Sequence, residues 1–141
     1  MRIILDTNVF LVSVLPRHKY WWVFQAILDG EYTLLVSTEI LNEYQEKCAL
    51  KYGLDIVDER LDFLLDLPNV ALITPSFQWR LIYPDPDDDK FVDCAVAGNS
   101  DYIVTNDGHF KVLKAIPFPK VETLSIDEFQ QILVERRKPR T

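Results

Sequence analysis

The chain opens on Met1-Arg2-Ile3-Ile4-Leu5-Asp6, a short apolar run that ends in a carboxylate and passes at once into Thr7-Asn8. The same arrangement returns late in the chain as Tyr102-Ile103-Val104-Thr105-Asn106-Asp107. Runs this short, rich in β-branched residues and closed by a polar group, read as buried strands. Comparable runs occur at Tyr32–Val36, Val70–Ile73 and Val121–Leu124. The segments between them carry apolar residues at helical spacing, and no two-residue hairpin turn joins neighbouring runs. Strands separated by helices return to the same end of a sheet each time and therefore pair in parallel. The expected fold is α/β: three layers, with a mainly parallel central sheet of about five strands, helices on both faces and right-handed crossovers.

Helices are expected over 8–15, 20–29, 39–51, 56–66, 89–99 and 108–114. Trp22, Val23, Ala26 and Ile27 share one face, as do Ile40, Leu41, Tyr44 and Cys48, and again Val57, Leu61, Leu64 and Leu65. Ser37-Thr38 suits a helix start, and Gly30 and Gly53 suit helix ends. Ser125 with Glu128 forms a capping box that opens a last helix, which turns Phe129, Ile132 and Leu133 inward. Pro84-Asp85-Pro86-Asp87-Asp88 cannot continue regular structure and reads as a loop. The 141 residues are expected to form a single domain, 1–141, with residues 136–141 a basic, frayed tail.

Composition narrows the function. A net charge of -7 argues against a module whose sole task is to hold nucleic acid, but not against a nuclease whose acids are neutralised by cations. Cys48 and Cys94 lack the spacing of a zinc site or disulfide framework and read as packed thiols. No apolar run is long enough to cross a bilayer, and Arg2 followed by a β-like run is unlike a signal peptide; the expected location is the cytoplasm. Trp21, Trp22 and Phe24 offer more aromatic surface than one helix face buries, which suggests self-association.

The acids carry the chemistry. Parallel strands bring their carboxyl ends to one edge, so Asp6 and Asp107 are expected there together. Between Asp85 and Asp107 lie seven acids and one base, Lys90. Asp85, Asp87 and Asp88 suit a solvated turn, and Asp88 or Asp89 could cap the helix that follows. Asp89 and Asp93, one helical turn apart, share a face that also packs on the sheet, and their repulsion calls for something positive. The alternative for Asp93 is a pairing with Lys90 at the solvent edge. Glu43 sits near the same end of the sheet, one turn beyond Glu39. Carboxylates without His or Cys select a hard cation, Mg²⁺ or Mn²⁺. Such ions polarise a phosphate and lower the pKa of a water, which suits phosphodiester hydrolysis. No serine or cysteine triad and no glycine-rich phosphate loop is present; His18 and His109 stand alone.

The blocks Ile3-Ile4-Leu5-Asp6-Thr7-Asn8-Val9, Ser37-Thr38-Glu39-Ile40-Leu41-Asn42-Glu43, Asp85-Pro86-Asp87-Asp88-Asp89-Lys90-Phe91 and Tyr102-Ile103-Val104-Thr105-Asn106-Asp107 resemble, in order, those of PIN-domain nucleases. The resemblance implies Asp6, Glu43, Asp89 and Asp107 as catalytic acids, with Asp89 in the family's usual third position and Asp93 a supporting acid. Asp6, Asp89, Asp107 and Asp93 would hold Mg²⁺ or Mn²⁺, and Thr7, Asn8 and Thr105 would orient ligands or water. It further implies a VapC-like toxin component that cleaves RNA, a cognate antitoxin and a homodimer. RNA docking is expected through Arg17, Lys19 and the tail Arg136–Arg140. The alternative is a PIN-like scaffold without turnover, whose acidic pocket receives an arginine from a partner protein. A phosphatase with an aspartyl nucleophile is disfavoured, because Asn8 stands where a second aspartate would be needed.

Overall fold

A computed structural model of the chain describes residues 1–82 and 85–139. Its elements are β1 (Arg2–Leu5), α1 (Thr7–Leu11), α2 (Trp21–Leu28), β2 (Thr33–Val36), α3 (Thr38–Tyr52), α4 (Leu54–Leu65), β3 (Val70–Leu72), α5 (Asp89–Gly98), β4 (Tyr102–Val104), β5 (Thr123–Leu124) and α6 (Ile126–Arg137). A 3₁₀ turn, Pro86–Asp88, precedes α5, and a 3₁₀ segment, Gly108–Ala115, stands where a short α-helix was expected. The five strands all pair in parallel, in the order β3-β2-β1-β4-β5.

That order contains a reversal. The chain steps outward from β1 to β2 to β3, then crosses back to place β4 on the other side of β1. Right-handed crossovers therefore put α1 to α4 on one face of the sheet and α5 on the other. The three central strands are covered on both faces: Ile3, Ile4, Leu5, Leu34, Leu35, Val36, Ile103 and Val104 are fully buried. The switch point between β1 and β4, where the crossovers diverge, leaves a crevice at the carboxyl ends of those strands.

Local sequence accounts for the element ends. The Ser37 hydroxyl accepts from the Ile40 amide at 3.2 Å and starts α3. Gly53, at φ 92°, ends α3 and leads directly into α4, a backbone turn that other residues rarely adopt. The Ser125–Glu128 capping box is formed at the start of α6. The first helix stops at Leu11, short of the expected 15. The Ser13 hydroxyl donates to the Phe10 carbonyl and His18 Nδ1 accepts from the Leu15 amide, so side chains take over backbone partners that a longer helix would need.

Two expectations are revised. The aromatics of α2 are used inside the chain: Phe24 is buried, Trp21 stacks on it at 5.1 Å, and Trp22 packs on Phe129 at 5.8 Å. The tail is helical through Arg137, whose guanidinium grips Glu31 at 2.6 Å just before β2. That is the amino end of the sheet, opposite the switch-point crevice. Pro84 of the expected loop and Arg140 of the expected tail lie outside the described residues.

Tyr44 joins the layers. Its buried ring stacks on Phe10 at 4.1 Å, and its hydroxyl donates to the Leu5 carbonyl at the end of β1. Removing the hydroxyl leaves a buried carbonyl short of a partner, at a cost of about 1–2 kcal/mol. Tyr44→Phe should keep the native circular dichroism spectrum and shift the urea midpoint downward accordingly; an unchanged midpoint would show that the contact contributes nothing.

Candidate metal centre at the switch point

Pairing of Leu5 with Val104 sets Asp6 beside Thr105. The Thr105 hydroxyl donates to Asp6 Oδ2 at 2.7 Å and accepts from the Asp107 amide at 3.0 Å, so one side chain fixes the acids that follow both strands. Asn106 turns away and accepts from the Ile126 amide at 3.1 Å, tying the start of α6 to the same loop. From α3, Glu43 accepts from the Thr7 hydroxyl and lies 3.1 Å from Lys90 Nζ. Asp6, Thr7, Asn8, Glu43, Asp85, Asp88 and Asp107 line one open pocket.

The sequence therefore located Asp6, Glu43 and Asp107 in one place, with Thr7, Asn8 and Thr105 around them. Asp89 and Asp93 are elsewhere. Asp89 Oδ1 accepts from the Ile82 amide and Asp93 Oδ1 from the Trp79 amide, each at 2.9 Å. Both face a groove beside the irregular segment that follows β3, along with Glu39, Arg80 and Ile82. Backbone N–H groups, rather than a cation, meet these two carboxylates. Successive helical residues point about 100° apart, so a helix that turns Asp89 and Asp93 toward this segment turns Asp88 toward Asp6. Nor does Asp93 pair with Lys90, which reaches Glu43 and the Asp87 carbonyl instead.

Two acids of this pocket and a histidine beside them escaped the sequence reading. Asp88 precedes α5 but caps nothing with its side chain. Asp85 Oδ1 accepts from the Asp87 amide and shapes the 3₁₀ turn. His109 Nδ1 lies 3.5 Å from Asp107, 3.7 Å from Asp88 and 3.9 Å from Asp85. The signal that could have found Asp88 is Pro86, which starts a turn that rolls the next carboxylates onto different faces.

Charge is concentrated here at a cost. Asp88 is 13% exposed, and its Oδ2 is shielded from water without a hydrogen-bond partner. Its nearest cationic candidate, His109, is too distant for one. Burial, then the charges of Asp6, Asp85, Asp107 and Glu43, push the Asp88 carboxyl up to about 7. Burial also raises Asp6, opposed by the Thr105 hydrogen bond and aided by the charge of Asp107. Asp85, Asp88 and His109 each place one ligand atom within 4.8 Å of the others. An orphaned buried carboxylate oxygen among further carboxylates fits a hard divalent cation, which Asp6, Asp88 and Asp107 could hold with Asp85 or Glu43 alongside. Cys48 and Cys94 are both buried and unpaired, away from this pocket.

Comparison with known proteins agrees with the fold. A family model described as the PIN domain matches residues 2–109. This chain belongs to the PIN-domain family. No protein of curated function matches its sequence. Among solved structures it is similar to VapBC2 from Rickettsia felis bound to a DNA fragment from its promoter, with a TM-score of 0.62 and 18% identity over 89% of this chain and 98% of that one. It is also similar to Mycobacterium tuberculosis VapC20, described as a toxin that cleaves the sarcin–ricin loop, with a TM-score of 0.58 and 13% identity over 84% and 98% of the two chains. The PIN domain of RRP44 from T. brucei aligns with a TM-score of 0.55 and 13% identity over 95% of this chain and 81% of that one. Among the described residues no helix is long and apolar enough to cross a membrane.

The raised Asp88 fixes a sign. Between its ordinary 3.8 and about 7, the folded protein holds a proton that the unfolded chain releases, so stability falls as pH rises through that window. In the absence of divalent ions, Asp88→Asn should be more stable than the wild type at pH 8, by an amount on the order of 2 kcal/mol, with the gap shrinking as pH falls and closing near pH 4. Added Mn²⁺ should raise the wild-type melting temperature and leave Asp88→Asn almost unmoved. Asp89→Asn, whose amide oxygen still accepts from Ile82, should respond to Mn²⁺ as the wild type does. A wild type and Asp88→Asn that melt alike at pH 8 would contradict the assignment.

Proposed function

We propose that the chain is a metal-dependent endoribonuclease that hydrolyses RNA phosphodiester bonds. The observation that carries this reading is the orphaned Asp88 oxygen in the pocket that Asp6 and Asp107 also line at the β1/β4 switch point. Asp6, Asp88 and Asp107 would hold Mg²⁺ or Mn²⁺, which would supply charge neutralisation at the phosphate and a lowered pKa for a water. Thr105 fixes the oxygen that Asp6 presents. Thr7 and Lys90 fix Glu43, which offers a set acceptor to a water at the pocket's edge. Asn8, exposed at the mouth, can donate to a phosphate oxygen. Asp89 and Asp93 serve the reaction indirectly, by holding the 79–82 segment beside α5.

The likeness to VapBC2 and VapC20 supports a toxin role in a toxin–antitoxin pair. The same reading includes a cognate antitoxin that covers the acidic pocket, a homodimer and a cytoplasmic location. With Mn²⁺ and a mixed RNA substrate, Asp6→Asn and Asp88→Asn should lose at least about a hundredfold in cleavage rate while remaining folded, from lost electrostatic stabilisation of roughly 3 kcal/mol or more. Asp89→Asn and Asp93→Asn should stay within about tenfold of wild type. Full activity in Asp88→Asn, or loss confined to Asp89→Asn, would overturn the residue assignment.

A further inference from the structure

The acidic pocket has one basic wall. Glu43, Lys47 and Lys51 follow one another at single-turn spacing along α3, so they form one stripe. Leu50 lies between the lysines, 81% exposed. Lys47, Leu50 and Lys51 line the same pocket as Asp6, Asp88 and Asp107. Arg17 precedes His18, which meets the far end of α3. The Tyr52 hydroxyl lies 3.1 Å from His18 Nε2, with Lys51 Nζ 5.7 Å from the Tyr52 ring, and burial followed by the charges of Arg17 and Lys51 lowers the His18 imidazole.

In a chain of net charge -7 these cations have few calls on them. Among the described residues no carboxylate lies within 4.0 Å of Arg17, Lys47 or Lys51, whereas Lys90 is held by Glu43 and Arg137 by Glu31. Cations left unpaired beside a carboxylate pocket suit a polyanion whose reacting phosphate enters that pocket. Helix geometry sets Lys47 about 6 Å and Lys51 about 12 Å beyond Glu43 along α3. That step is comparable with the phosphate spacing of a stretched single strand, and the exposed Leu50 side chain offers an apolar rest for a base between the two contacts.

We infer that single-stranded RNA enters the site along the carboxyl-terminal half of α3, its phosphates on Lys47 and Lys51 and one base over Leu50. The inference rests on the ribonuclease reading for its substrate. It replaces the expected docking through the tail, whose Arg137 is engaged at the far end of the sheet.

The test pairs binding with cleavage. Anisotropy of a short fluorescein-labelled single-stranded RNA, measured in the Asp88→Asn background with Mn²⁺, reads binding without turnover. Lys47→Gln with Lys51→Gln should weaken binding on the order of tenfold at about 0.1 M salt and lower the log–log salt slope by roughly 1.4, the value for two lost contacts to a single strand. In the otherwise wild-type protein the same pair should raise KM and leave kcat within about twofold. Lys111→Gln with Lys114→Gln, an equal change of charge on the 3₁₀ segment after β4, should leave affinity and slope unchanged. The inference is overturned if the α3 pair leaves affinity and slope unchanged, or if both pairs weaken binding equally. A wild type that cleaves no RNA would count against the ribonuclease reading, while the binding arm would still decide the path along α3.

Discussion

The parallel pairing of β1 with β4 is the contact on which the site depends. Asp6 and Asp107 are far apart in the chain, and each follows a strand too short to hold a position alone. Register sets Leu5 against Val104, and the Thr105 hydroxyl then bonds both the Asp6 carboxylate and the Asp107 amide. Because the crossovers diverge at this pair, no helix fills the crevice beyond it. Tyr44 adds a lock from the opposite layer by bonding the last carbonyl of β1. The backbone carries the precision, and the carboxylates are consequences of where their strands end.

Like charges are affordable there only because each has a different form of relief. Asp6 has a hydroxyl, Glu43 has a hydroxyl and an ammonium group, and Asp85 and Asp107 accept from nearby amides. Asp88 has none of these, and it carries the large upward shift. The residue least satisfied by the protein is thus the one that most needs a ligand from outside. The 3₁₀ turn that ends at Asp88 and the helix that starts at Asp89 divide the labour: Asp88 faces the crevice, and Asp89 with Asp93 secures the segment from β3.

Much of this architecture was legible in the chain. Apolar runs alternating with helical periodicity dictate a parallel sheet, and Asp6 and Asp107 at strand ends dictate a shared edge. The Ser125–Glu128 box is a local motif and was read directly. What the sequence hid is rotational. Nothing in Asp87-Asp88-Asp89 tells which carboxylate faces which side, because a 3₁₀ turn and an α-helix advance by different angles per residue. The partners of Asp89 and Asp93 are backbone amides of Ile82 and Trp79, in a stretch with no periodic pattern, and amides leave no mark on composition. The basic wall was hidden for a related reason: Lys47 and Lys51 look like any solvated helix face until Glu43 is known to point into the pocket.

The central claim is that a divalent ion is held at the β1/β4 switch point by Asp6, Asp88 and Asp107. Anomalous diffraction from a crystal of the protein soaked in Mn²⁺ tests it most directly. The account predicts a manganese peak within coordination distance of carboxylate oxygens of those three residues. A peak instead between Asp89, Asp93 and Glu39, or a soaked crystal with no peak at the strand ends, would contradict it.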